Sequence, residues 1–168
     1  FVYTVSDGTD TDTANPVITV TGVNDTPSAQ NDVGVIDEGE TLTVTNGANA
    51  NVSGSYDADE EHSGDLIDTS SSSHEDSDPD ASPTLRISAI QPSGGSSSSV
   101  SSGSSYNSSG TSVNGSYGTL TIGADGSYKY AANDSISGFD DGETLDEVLS
   151  EMKIDGDEPP YDLDIYTG

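Results

Sequence analysis

The chain has no cysteine and no tryptophan, and its only basic side chains besides histidine are Arg86, Lys129 and Lys153. Without cysteine no disulfide can brace the fold, so a secreted domain would need another support such as metal ions. With so few Lys and Arg residues, binding to nucleic acid is excluded, because phosphate recognition depends on them. No segment approaches the ~20 apolar residues of a membrane-spanning helix. We therefore expect no nucleic-acid partner and no membrane span.

Apolar residues are also scarce. Leu, Ile, Val and Phe together account for 30 of 168 residues, and a share below roughly a fifth combined with high net charge is typical of disordered chains. The 31 acidic residues give a net charge of −28, and such self-repulsion opposes a compact state unless cations neutralise it. Oxygen-preferring Ca²⁺ is the expected cofactor. The alternative is a solvated acidic surface suited to high salt, without specific sites.

Short runs with period-two alternation, separated by Gly, Asn, Asp and Pro, predict an all-β fold, an antiparallel β-sandwich with long loops. Asp125-Gly126 supplies a tight hairpin turn, because glycine readily adopts a positive φ. The predicted strands are residues 1–6, 16–22, 32–36, 41–45, 84–90, 117–122 and 127–131.

One segment has a helical pattern instead. Leu145, Val148, Leu149 and Met152 would share one helical face behind a capping-box spacing, which predicts a short amphipathic helix over residues 145–153. Such a helix would cover an open core or sheet edge, or dock a neighbouring subunit. The alternation of apolar residues in 161–165 then predicts a terminal strand.

The predicted organisation has three parts. Residues 1–23 are terminal strands that complete a sandwich, residues 24–31 are a linker, and residues 32–168 form a second sandwich. Two low-complexity insertions, at about 55–82 and 93–116, are predicted to be long excursions that are functional or mobile. Because the sequence opens within a predicted strand, we expect it to be part of a longer or processed protein.

Five segments carry a family resemblance. The motif YTVSDG at residues 3–8, the strand and linker at 17–27, the segment 31–42, the hairpin at 117–130 and the phrase at 141–145 resemble, in this order, VCBS-type or bacterial cadherin-like repeats. They cover a little under a third of the chain. The resemblance implies Ig/cadherin-like sandwiches strung in tandem in large secreted adhesins and matrix proteins, with Ca²⁺ at the junctions. It therefore implies an extracellular or cell-surface location.

Oxygen ligands are concentrated at the implied junction. Asn24 and Asp25 lie in the linker and Glu38 in the first loop of the following domain, while Asp76, Asp78 and Asp80 alternate along one segment. By the same resemblance, Asp7 would contribute to a site at the other end of its own sandwich. A second candidate cluster contains Asp57 and Asp59, with Asp65 beyond, and its alternative is a plain solvated acidic loop.

The order of the strands departs from the family. The two strands that normally end a repeat stand at residues 1–22, so the second sandwich is predicted to lack its last strands and to have an open sheet edge. Residues 1–22 could fold back in cis, insert into another copy of the chain, or belong to a neighbouring repeat of a tandem array. We favour intermolecular strand complementation, because a head-to-tail contact that does not close generates a filament.

Two other functions remain open at this stage. One is an adhesin repeat whose long loops bind glycan or another cell surface, and the other is a disordered acidic calcium buffer. We expect no enzyme and no catalytic residue. His62 and His74 lie in acidic loops without cysteine, and no Gly-x-Ser-x-Gly elbow with a histidine partner is present.

Overall fold

A computed structural model describes residues 1–49, 61–67, 74–80, 84–137, 145–154 and 161–167, the last two ranges by their backbone alone. This part of the chain is all-β, as predicted, and contains no helix. The strands are β1 (Tyr3–Ser6), β2 (Thr11–Ala14), β3 (Asp32–Ile36), β4 (Thr41–Val44), β5 (Glu61–His62), β6 (Ile87–Ile90), β7 (Ser98–Ser99), β8 (Thr111–Asn114), β9 (Gly118–Ile122), β10 (Tyr128–Ala132), β11 (Leu145–Ile154) and β12 (Tyr161–Thr167).

A four-stranded antiparallel sheet has the order β4-β10-β9-β8. Its central hairpin joins β9 to β10 through the predicted Asp-Gly turn, where Gly126 has a φ of 85°. The Gly123 N–H donates to the Ser127 carbonyl over 2.8 Å and closes that turn. Glycine fits there because a side chain would oppose the positive φ.

A six-stranded sheet has the order β5-β3-β12-β11-β6-β7. Its strands are antiparallel except for β3 and β12, which run parallel with Asp32 opposite Leu163 and Ile36 opposite Thr167. The predicted open edge does not lie beside β3, because β12 is paired there; the edge strands of the two larger sheets are β5, β7, β4 and β8. The chain's own strands β11 and β12 occupy the position between β3 and β6.

The helix predicted over residues 145–153 is wrong. This segment is β11, which pairs with β12 over residues 145–152 and with β6 at Lys153 and Ile154. The spacing of Leu145, Val148, Leu149 and Met152 fits a helical face. Pairing with two neighbouring strands, however, provides hydrogen bonds for the backbone N–H and carbonyl groups that a helix would otherwise pair internally. Tertiary pairing overrides local pattern here.

The segment 93–116 is ordered rather than a flexible excursion. It contains β7 and β8, and Val100 and Ser104 are buried. Serine hydroxyls take the place of an apolar interior, since Ser104 Oγ accepts the Ala124 N–H over 3.0 Å and Ser127 Oγ accepts the Tyr106 N–H over 3.0 Å. A composition typical of linkers can pack where its hydroxyls satisfy buried backbone groups.

The two larger sheets share one hydrophobic core. The six-stranded sheet contributes residues such as Ile36 and Ile87, and the four-stranded sheet contributes Leu120, Tyr128 and Tyr130, none of them accessible to solvent. The loop residue Leu66 is equally buried, because its N–H donates to the Gly126 carbonyl and anchors the loop beside β10.

Residues 1–26 lie outside this core, and every one of them is exposed. β1 and β2 form a separate two-stranded antiparallel sheet with Tyr3 opposite Ala14. The strand predicted over residues 16–22 is wrong, because these residues belong to no strand and β2 ends at Ala14. The alternative in which residues 1–22 fold back in cis is contradicted by this exposure.

Candidate functional site: the linker clamp and the amino-terminal segment

The linker is fixed to the body of the protein by a short antiparallel contact. Ser28 and Ser77 form a β-bridge in which the Ser28 N–H donates to the Ser77 carbonyl over 2.7 Å and the reverse bond is 2.9 Å long. We call residues 25–30 together with residues 76–80 the linker clamp. Pro27 and Ala29 become buried there, directly after 26 exposed residues.

Three of the four acidic residues of the clamp accept backbone N–H groups. Asp80 Oδ2 accepts the Asp25 N–H over 3.0 Å, and Asp76 Oδ1 accepts the Gln30 N–H over 2.9 Å. Asp78 Oδ1 accepts the Asp80 N–H over 2.8 Å and shapes its own loop. Hydrogen bonds to charged acceptors are stronger than neutral ones, so these carboxylates hold the linker in one position.

The structure thus brings four of the predicted junction residues together: Asp25, Asp76, Asp78 and Asp80 belong to one clamp. Asn24 adjoins it, and its side-chain amide donates to the Asp25 carbonyl over 2.8 Å. Across the described ranges, no three His, Asp or Glu side chains surround a common point that could hold a metal ion. The contacts seen are hydrogen bonds within the chain.

Glu38 and Asp7 lie apart from the clamp. Glu38 follows β3 while the clamp precedes it, and a five-residue strand separates the two by roughly 17 Å; its Oε1 accepts the Ile136 N–H over 3.2 Å. Asp7 Oδ1 accepts the N–H groups of Asp10 and Thr9 in the β1–β2 turn, and these bonds hold the pKa of Asp7 below its usual value. Asp57 and Asp59 are outside the described residues.

A buried polar cluster contains Asp65, which the sequence grouped with Asp57 and Asp59, together with Asp32 and Ser63, which the sequence did not single out. Asp32, Ser63 and Asp65 are each at most 3% exposed. Ser63 Oγ donates to Asp32 Oδ1 over 2.9 Å, and Asp65 Oδ2 accepts the Gly47 N–H. The strand register gave a usable signal for Asp32, because alternation puts it on the same face as Gly34 and Ile36.

The hydroxyl of Tyr128 lies near this cluster. It is buried and has no hydrogen-bond partner in the described part of the chain. Burial first, and then the nearby charges of Asp32 and Asp65, raise the pKa of Tyr128 far above its usual value. The phenol therefore stays neutral.

His62, at the end of β5, is half-buried. Its Nδ1 accepts the Gly64 N–H over 3.1 Å, and burial lowers the pKa of His62. Both observations favour the neutral ring, because a protonated Nδ1 could not accept that bond. His74 lies in the other acidic segment, where its Nδ1 bonds the Asn31 carbonyl beside the clamp.

A cleft of about 430 Å³ opens beside the β9–β10 turn. Its lining includes the polar side chains of Asn46, Arg86 and Asp125 and the apolar side chains of Ile67 and Leu85. Its side chains come from several loops of the body. The sequence pattern gave no sign of it, because the residues are far apart along the chain.

The amino-terminal segment, which we define as residues 1–23, presents an apolar surface to solvent. Eight of its large side chains have exposed fractions from 51% for Tyr3 to 101% for Phe1. The others are Val2, Val5, Val17, Ile18, Val20 and Val23. Single exposed apolar residues are ordinary, but eight of them within residues 1–23 are expected to mark an interaction surface.

The fold places the chain in the class of all-β proteins with mainly antiparallel sheets. Comparison with models of protein families, with curated proteins and with solved structures finds no match. Among the described residues, no helix has the length and apolar character needed to cross a membrane.

Proposed function

We propose that this protein is an extracellular structural module that assembles head to tail, its amino-terminal segment completing another copy to build a filament or matrix. The observation that carries the proposal is the exposure of eight large apolar side chains in residues 1–23. Apolar residues make up 29% of the chain, so leaving eight large ones exposed withholds a substantial part of them from the core. An exposed surface of this kind is expected to bind a partner.

The amino-terminal hairpin also supports a partner on grounds of stability. A two-stranded hairpin in isolation is marginally stable in water, and β1 and β2 contact each other while their side chains remain exposed. Docking on another protein would bury these side chains. Each Å² of apolar surface removed from water would stabilise the contact by roughly 25 cal/mol. Because the position beside β3 is filled by β12, the segment would add to a different strand of its partner.

The body of the module is proposed to be an Ig/cadherin-like β-sandwich. The core cluster draws on both the four-stranded and the six-stranded sheet, as expected for two sheets packed face to face. The parallel pairing of β3 with β12 in an otherwise antiparallel sheet gives the body a distinct topology. The family resemblance supports the same architecture and an extracellular location.

Calcium stabilisation is the second element of the proposal. It is supported by the net charge of −28 with three basic side chains and by the position of Asp25 next to Asp80 in the linker clamp. Cations bound there would reduce repulsion among the acidic side chains and rigidify the junction. The clamp already holds by hydrogen bonds, so Ca²⁺ would add to an existing contact.

The assembly is tested by paired substitutions on opposite faces of residues 17–21. Ile18→Asp with Val20→Asp puts two charges on the apolar face and should abolish polymers seen by light scattering and electron microscopy. Thr19→Asp with Thr21→Asp adds the same charge to the alternate face and should leave most of the assembly. Equal behaviour of the two variants, or a wild-type protein that stays monomeric at high concentration, would contradict the proposal.

The calcium element is tested by melting temperatures in CaCl₂ and NaCl at matched ionic strength. A ligand that binds only the folded state stabilises it by mass action, about 2.7 kcal/mol at one hundred times its Kd. Asp78→Asn should remove most of the Ca²⁺-specific gain, while Asp12→Asn in the exposed strand β2 should keep it. Identical melting curves in the two salts would remove calcium from the proposal.

A second candidate is an adhesin repeat that binds glycan, favoured by the cleft beside the β9–β10 turn. Arg86, Asn46 and Asp125 offer it both hydrogen-bond donors and acceptors, as sugar hydroxyls require. Glycan-array binding that Asp125→Ala abolishes would support this function. Residues 93–116 do not provide a separate binding loop for this candidate, because they contribute β7, β8 and buried side chains to the body.

A further inference from the structure

The long uncharged stretches of this acidic chain are residues 41–56, which contain β4, and two others. The two others, which we call the first and the second uncharged stretch, are residues 13–24 and residues 87–124 and contain no Asp, Glu, Lys, Arg or His. Two copies that each carry a charge of −28 repel one another, so a contact costs least where charge is absent. The first uncharged stretch belongs to the amino-terminal segment, and the second contains β6 to β9.

The second stretch includes one end of the four-stranded sheet. β8 pairs with β9 and with no other described strand, so it is an edge. Ser112 and Asn114 on this edge are exposed, while Val113 between them is buried. Natural edge strands are usually protected from pairing by charged residues, proline or a bulge. β8 has a regular register and carries no charged residue, proline or bulge, and its first residue also contacts β7, where Thr111 Oγ1 donates to the Ser99 carbonyl over 3.1 Å.

The hydrogen-bonding groups of this edge can be assigned from the adjoining turn. The Gly115 N–H donates to the Gly118 carbonyl over 2.9 Å, so Gly115 and Gly118 are a hydrogen-bonded pair. Because such pairs alternate along an antiparallel ladder, Val113 and Thr111 also bond to β9. The N–H and carbonyl groups of Ser112 and Asn114 therefore point away from β9, along the open edge.

The first stretch has the composition of a strand that lacks a sheet. Residues 17–21 are Val, Ile, Thr, Val and Thr, all β-branched and all favourable in strands. They nevertheless belong to no strand, and Val17, Ile18 and Val20 are 74–90% exposed. These five residues are long enough to pair along the whole of β8, which has four residues.

The opposite edge of the same sheet is less suitable. β4 follows Asp37, Glu38 and Glu40 directly, and its neighbour β10 carries Lys129 opposite Thr43. The edges of the six-stranded sheet, β5 and β7, have two residues each. β8 therefore offers three open positions, residues 112–114, with no charged residue in its own strand or in β9.

From this arrangement we propose that residues 17–21 of one copy add to the edge of β8 in a second copy. The inference rests on the proposed head-to-tail assembly and names its acceptor. Val20 or Ile18 would lie beside Val113 and extend the core, and Thr19 and Thr21 would lie on the exposed face with Ser112 and Asn114. Residues 17–21 would become a fifth strand of the four-stranded sheet. Its backbone hydrogen bonds to β8 would provide affinity, and its apolar side chains would set the register.

The absence of cysteine allows a clean cross-linking test. A tagged Thr21→Cys protein is mixed with Ser112→Cys and, in parallel, with Thr43→Cys on the other edge, and a short bis-maleimide reagent is added. We expect cross-linked heterodimers with Ser112→Cys at a yield about tenfold above that with Thr43→Cys. Cross-linking to Thr43→Cys instead would overturn the assignment to β8 and leave the proposed assembly intact. A mixture that neither cross-links nor sediments above a monomer would overturn both.

A proline variant gives a second readout. Ser112→Pro removes an N–H that points away from β9, so it spares the existing ladder, and edge strands tolerate proline. We expect the melting temperature to stay within a few degrees of wild type and the association to weaken about tenfold or more, the effect of about 1.4 kcal/mol. Unchanged polymerisation of this variant would also overturn the assignment.

Discussion

Tyr128 brings an unsatisfied polar group into the interior of the protein. Its hydroxyl is fully buried without a hydrogen-bond partner in the described part of the chain, and an unmet buried donor costs about 1–3 kcal/mol. Tyr128→Phe should therefore raise the free energy of unfolding by about 1 kcal/mol, measured by urea denaturation. Tyr3→Phe is the matched control at an exposed phenol and should have no effect. Destabilisation by Tyr128→Phe would mean that a water molecule or a cation satisfies the hydroxyl.

His62 makes the stability depend on pH in a predictable direction. Burial lowers the pKa of His62 in the folded state, so its neutral form is preferred and its contribution is intact above the unfolded value of about 6.5. That contribution is lost as the pH falls from there through the folded pKa. His62→Asn keeps an acceptor for the Gly64 N–H but does not titrate.

The measurement is the melting temperature at pH 7.5 and pH 5.5. Wild type should lose more than His62→Asn across this interval, and the comparison cancels the titration of the many carboxylates. A difference of zero between the two proteins would contradict the prediction. His74→Asn serves as the control for losing a histidine from an acidic segment.

At the scale of single elements, the space around a glycine decides whether a larger residue is tolerated, and Gly123 and Gly22 differ in this respect. A Cβ on Gly123 would collide with the backbone of Ser105, whereas a Cβ on Gly22 would meet no atom within 4 Å. Gly123→Ala should therefore lower the stability by about 2–3 kcal/mol, as overpacking does, while Gly22→Ala should leave it unchanged. Thermal melts of the two variants test this, and equal melting temperatures would show that residues 104–105 are not packed against the turn.

The elements also show where the sequence was informative. Strand patterns and the Asp-Gly turn predicted β3, β4, β6, β9 and β10 closely, because each alternates and is bounded by turn residues. β11 was misjudged as a helix, since its pairing with β6 and β12 is a long-range property. β8 was hidden among serines and glycines whose hydroxyl bonds appear only in the folded chain.

The candidate site was predicted in part for similar reasons. The alternating acids at 76–80 lie beside the linker at Asp25, but the atoms they contact are backbone N–H groups, and a Ca²⁺ site there stays a prediction. The sequence cannot reveal that, because donors from distant segments carry no local signature. Glu38 was assigned to the junction by its position in the chain, and the length of β3 puts it at the opposite end.

For the whole molecule, charge should govern stability. The Debye length falls from about 30 Å at 0.01 M salt to about 3 Å at 1 M, so NaCl should screen the repulsion among 31 acidic side chains. The melting temperature should rise steadily over this range. A flat response would indicate that the acidic side chains are far enough apart in the folded protein to be independent.

The Ser28–Ser77 bridge has a mechanical consequence for any polymer. Because the tether between one subunit and its insertion segment is bonded down as far as Asp25, little slack separates successive units. The angle between neighbouring subunits should then be nearly constant. The same small rotation repeated at every junction would give a stiff helical fibre of uniform pitch rather than a flexible chain of domains.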